Sequence, residues 1–61
     1  MADKIIEIID QSKFGDKAKQ AARLRLIEHK PYAEIVSITG INRERIRQIE
    51  AVIKRRVKEK Q

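Results

Sequence analysis

Arg43, Glu44, Arg47 and Gln48 are the side chains in this 61-residue sequence whose types and spacing point most directly to chemistry. Arginine pairs bidentately with the major-groove edge of guanine, glutamine does the same with adenine, and a carboxylate accepts from cytosine N4. At about 100° per residue, a helix over this stretch gathers Ile46, Ile49, Ile53 and Val57 on one side and Glu44, Arg47, Gln48, Ala51 and Arg55 on the other. Glu44 and Gln48 lie most nearly opposite the isoleucine seam, Arg47 flanks them, and Arg43 stands at the margin. Two readings fit such a face: a surface that reads base edges, or an ordinary solvated surface in which Glu44 complements the helix dipole. Placement at the start of a helix that follows a fitted turn favours the first, with Arg47 and Gln48 the best placed to read bases.

The elements that must hold these residues follow from the apolar pattern and the breakers. Asp3 is expected to cap a first helix through about Gln11, with Ile5, Ile6, Ile8 and Ile9 as a broad apolar face, closed by Phe14 and Gly15. Asp16 is the expected cap of a second helix running from Lys17 to Glu28, where Ala18, Ala22 and Leu26 recur at helical spacing and Ala18, Ala21 and Ala22 admit close approach. Lys30 and Pro31 mark a boundary, since the residue before proline avoids helical geometry and proline suits a first helical turn. A short third helix spans about Tyr32 to Ile38, and Gly40 supplies the positive φ of a tight turn. Asn42 caps a fourth helix of about 17 residues, roughly 25 Å long.

Two helices joined by a short turn containing glycine form a helix-turn-helix pattern, placed here at about residues 32–51. Ile35 and Val36 are expected to face Ile41, Ile46 and Ile49. Thr39 occupies a position more often apolar in such units, with the apolar side chain at Ile38 instead, so the third helix is expected to be slightly rotated or to end one residue early. The predicted fold class is all-α: a single domain over residues 1–61, a small bundle of about four helices containing the helix-turn-helix.

The run from Asn42 to Ala51 resembles the recognition helix of region 4 of primary bacterial RNA polymerase sigma factors, which ordinarily begins with threonine where this chain has asparagine. That resemblance implies that Arg43, Glu44, Arg47 and Gln48 contact bases. A longer resemblance covers nearly the whole chain. Its order of helix, glycine, long helix, Lys30-Pro31, short helix, Gly40 and final helix is similar to the DNA-binding domain of TrfB/KorA-type plasmid transcriptional repressors. The best match runs from Ala22, Arg23 and Leu24 through Leu26 and Ile27 to Lys30 and Pro31, and that family usually has glycine where His29 stands. What the resemblances imply is a plasmid- or phage-type repressor that occupies a promoter on double-stranded DNA. The rival readings are a region-4-like factor that binds RNA polymerase and a basic helical module that docks on an acidic protein.

Composition narrows the classes. The chain carries 15 basic and 9 acidic residues for a net charge of +6, with eight basic and four acidic residues in 31–61 against seven and five in 1–30. Such a balance favours polyanionic partners through counterion release. So short a chain leaves little room for an enclosed catalytic pocket, and neither a nucleophile-base pair nor a metal cluster is visible, so no enzyme activity, cofactor or metal is expected. Cysteine is absent, and the lone histidine, His29, has no partner at metal spacing. No apolar run is long enough to span a bilayer and no signal peptide is visible, so a cytoplasmic, nucleoid-associated protein without membrane contact is expected.

Tyr32, Asn42 and Arg55 are the expected contacts to DNA phosphate, with packing against the bundle the other reading of Tyr32. Lys54, Arg55, Arg56, Lys58 and Lys60 either follow the phosphate backbone or solubilise an exposed tail. Four isoleucines in five positions of the first helix imply two burial surfaces. The second is either a wider core or a homodimer contact shared with Val52 and Val57, and a homodimer reading paired half-sites is expected.

Overall fold

The computed structural model describes residues 2–59, the side chains of residues 2 and 3 excepted. Its elements are all helical: α1 (Ala2–Gln11), α2 (Asp16–Leu26), α3 (Tyr32–Thr39) and α4 (Arg43–Glu59). α1 starts at Ala2, so Asp3 lies inside its first turn instead of capping it; the Asp3 side chain is outside the described residues, as is all of Lys60. α2 and α4 form the central pair; α1 packs on both from one side and α3 on both from another, and α1 and α3 do not meet among the described residues.

Two apolar clusters result. Ile8, Ile9, Ala22, Ile49 and Ile53 join α1, α2 and α4, with Phe14, Leu26, Ile27 and Val57 packed against them. Ala21, Leu24, Ile35 and Ile46 join α2, α3 and α4, flanked by Tyr32, Val36 and Ile41. Ile49 thus belongs to the α1 side instead of facing Ile35 and Val36, because three residues of advance along α4 carry it past α3. Ala21 and Ala22 are buried side by side, each facing a different cluster. Small side chains there let α2 approach both of its neighbours closely.

The helix ends have identifiable causes, and α1 ends at Gln11 as expected while others shift. α1 stops at Gln11, where Ser12 turns back to donate both its N–H (3.2 Å) and its hydroxyl (2.6 Å) to the Ile9 carbonyl, and Phe14 is left to pack on the core. Gly15, in extended geometry, is the N-cap of α2, and Asp16 is its first residue, where a carboxylate complements the helix dipole. Pro31 likewise stands just outside α3 as its N-cap, its carbonyl accepting from Glu34 and Ile35 N–H.

α2 ends at Leu26, two residues before the expected Glu28. The cause is His29, whose φ of 59° puts a branched-ring residue in the left-handed region. That turn brings Lys30 N–H onto the Leu24 carbonyl (3.0 Å), while Glu28 N–H, just before it, donates to the Arg23 carbonyl (3.2 Å), and the two bonds close the helix end. Left-handed geometry costs an L side chain about 1–2 kcal/mol. His29→Gly is therefore expected to stabilise the fold by about 0.5–1 kcal/mol after allowing for glycine's greater freedom in the unfolded chain. A thermal melt measures this as a rise of a few degrees; a fall would mean that the imidazole contributes more than its backbone costs.

Thr39 resolves the departure seen at the α3 end. It is buried, while Ile38 is exposed, so α3 keeps its phase and runs through residue 39. The threonine hydroxyl donates to the Ile35 carbonyl (2.8 Å) and accepts from Ile41 N–H (3.2 Å), so its methyl can fill an apolar position without leaving a polar atom unpaired. Gly40 follows at φ 76° with its N–H on the Val36 carbonyl. A Cβ there would meet nothing within 4 Å, so backbone conformation alone demands glycine.

Candidate nucleic-acid interface

α4 owes its orientation to both clusters. Ile46, Ile49 and Ile53 are each at most 1% exposed, so the helix cannot rotate about its axis without breaking the core. Its start is fixed by Asn42, whose Oδ1 accepts from Arg45 N–H at 2.8 Å while its carbonyl accepts from Ile46 N–H. Glu44, Arg47, Gln48, Ala51 and Arg55 consequently stand exposed on the opposite side, with Arg43 exposed at its margin. Glu44 and Arg47 pair with each other across one turn, 3.3 Å apart, with side chains 65% and 67% exposed. An ion pair so wet is weak and opens readily to another partner.

The expected phosphate contacts have different surroundings. Asn42 spends its side-chain oxygen on the cap. Arg55 is open, its side chain 83% exposed and 3.5 Å from Glu59. Tyr32 is half-buried, and its hydroxyl donates to Glu50 Oε1. The guanidinium of Arg25 lies 4.2 Å from the centre of its ring and that of Arg43 lies 5.5 Å from it.

Glu50 is the residue that sequence reasoning missed. It is buried on α4, where Arg25 Nε from α2 donates to its Oε2 at 3.2 Å and Lys54 Nζ stands 3.3 Å from the same oxygen. Arg25 also donates to the Lys30 carbonyl at 3.0 Å, so one guanidinium ties α2, the turn before α3 and α4 together. Burial pushes the Glu50 carboxyl up. The hydrogen bonds from Tyr32 and Lys54, with the charges of Lys54 and Arg25, outweigh this and hold it below the ordinary glutamate value. A signal existed: Glu50 lies four residues after Ile46 and three before Ile53, inside the apolar seam, where a carboxylate requires cationic partners.

Elsewhere the surface offers an open groove of about 420 Å³ between α1 and α4, lined by Ile8, Gln11, Val52, Arg55, Arg56 and Glu59. Ile6 and Val52 are exposed, whereas Val57 packs on the core. Among the described residues no group of three or more His, Cys, Asp or Glu is placed to hold a metal, and no helix is long and apolar enough to cross a membrane. Comparison of the chain with family models, curated proteins and solved structures gave no match.

Proposed function

We propose that the protein is a sequence-specific double-stranded DNA-binding regulator of transcription, a repressor that occupies a promoter, and that α3, the turn at Gly40 to Asn42 and α4 are its helix-turn-helix. The observation that carries this reading is the first half of α4. Arg43, Glu44, Arg47 and Gln48 are exposed together on a helix whose opposite face is locked in the core and whose N-terminus follows a tight turn. Side chains of these types on a rigid helix are suited to major-groove edges. The net charge of +6 supports the same partner through phosphate neutralisation, and the cytoplasm is where a bacterial protein of this kind would meet it.

Two copies on half-sites about 34 Å apart belong to this reading. Exposed Ile6 on α1 and Val52 beside the α1–α4 groove support a contact between copies there, and Val57, committed to the core, does not take part.

Selection of bound sites from a random duplex pool tests the proposal. A preferred, palindromic site is expected, and absence of any sequence preference at moderate salt would overturn the regulator reading. Against the selected site, Arg47→Ala and Gln48→Ala should each relax preference at one base pair by about 1–3 kcal/mol. Arg55→Ala should instead weaken binding evenly across sequences, with a shallower salt dependence.

A further inference from the structure

We propose that Tyr32 is a positioning residue for Arg43, a platform on α3 that presents the first base-reading arginine of α4; this rests on the reading of α4 as a DNA reader. Of the four outward residues, Arg43 stands nearest the seam, about 20° around the helix from Glu50 at seven residues' distance. That margin turns it toward α3, and its guanidinium lies 5.5 Å from the centre of the Tyr32 ring, within cation–π range. Among the described residues Glu44 and Arg47 pair only with each other, whereas Arg43 lies over the Tyr32 ring of another helix.

The ring is held in place by more than packing. Its hydroxyl donates to Glu50, the guanidinium of Arg25 lies 4.2 Å from its centre, and Arg25 is itself bonded to Glu50 and to the Lys30 carbonyl. Ring, carboxylate and guanidinium thus brace one another across α2, α3 and α4. Arginine is flexible, and fixing it on a braced surface before DNA arrives lowers the rotamer entropy lost on binding. With its proton committed to Glu50, the tyrosine hydroxyl acts on DNA through Arg43 and makes no phosphate bond of its own.

Two measurements test this. In the free protein, NMR should find the Arg43 side-chain protons displaced by the ring current of Tyr32, a displacement kept in Tyr32→Phe and lost in Tyr32→Leu. Unshifted Arg43 protons in the wild type would overturn the contact without reference to DNA. Competition binding with single-base-pair variants of the selected site then reads the consequence. Tyr32→Leu should reduce preference about two- to fivefold at the base pair that Arg43→Ala affects, spare those of Arg47 and Gln48, and add nothing in the Arg43→Ala background.

An equal loss at every base pair would assign Tyr32 a general structural role, and a loss that persists undiminished without Arg43 would make it a phosphate contact; either overturns the proposal. Retained wild-type preference with no coupling between Tyr32 and Arg43 removes this inference alone. A wild type with no preference removes the DNA reading as well.

Discussion

Ile53→Ala is expected to remove a large part of the fold's stability. Ile53 is fully buried where α1, α2 and α4 meet, against Ile8, Ile9, Ala22 and Ile49. Truncating a buried isoleucine to alanine costs about 2–5 kcal/mol, the transfer of the lost methyl groups plus the cavity left behind. A domain of this length has about 3–9 kcal/mol in total. Collapse around the void is restricted because Ala22 has nothing to extend into it, so the cost should fall in the upper part of the range. Urea titration followed by far-UV circular dichroism measures it. Ile53→Val, which removes one methylene, should lose only about 0.5–1.5 kcal/mol, and Ile38→Ala, at a site 48% exposed, less than about 0.5 kcal/mol. Equal midpoints for Ile53→Ala and Ile38→Ala would mean that the core is not continuous through α4.

The parts of this architecture that depend on periodicity and on backbone breakers can be read directly from the residues. The isoleucine seam of α4, its opposite face, the Asn42 cap and the Gly40 turn all follow from spacing and from conformational preferences that act within a few residues. What escapes such reading depends on partners distant in sequence. No local rule tells that Ile49 joins Ile8 and Ile9 while Ile46 joins Ile35, because the division follows from where α1 and α3 sit on α4. Thr39 looks like a fault in the apolar pattern until its hydroxyl is seen bonded within its own turn and to the next residue. Neither the apolar periodicity nor the nearby breakers place a left-handed turn at His29, whose geometry belongs to the closing of α2. The outward face is therefore legible as a set of residues, while the bracing of Arg43 through Tyr32, Arg25 and Glu50 requires the fold.

Glu50→Gln should separate the charge of that brace from its shape. The carboxylate accepts from Tyr32 and Arg25 and pairs with Lys54, and the amide keeps nearly the same volume while giving up the negative charge. Breaking a fully buried ion pair costs about 3–5 kcal/mol. Here the side chains of Arg25 and Lys54 are 29% and 65% exposed, so solvent screens part of the loss, and about 1–3 kcal/mol at neutral pH is the expected effect. The pH dependence carries the sign. Because the folded-state pKa of Glu50 lies below its unfolded value, the unfolded chain takes up the proton more readily. The carboxylate's stabilisation is then complete above the unfolded glutamate pKa of about 4.3 and is lost as pH falls through the folded value. The wild-type minus Glu50→Gln difference in unfolding free energy isolates this one group. It should be flat near neutrality, shrink as pH falls past the unfolded value of about 4.3 toward the folded one, and vanish in stronger acid, where protonated glutamate and glutamine are nearly equivalent. A difference that stayed constant from neutral pH into acid would place the loss in hydrogen-bond shape, and the charge of Glu50 would have no part in joining α2, α3 and α4.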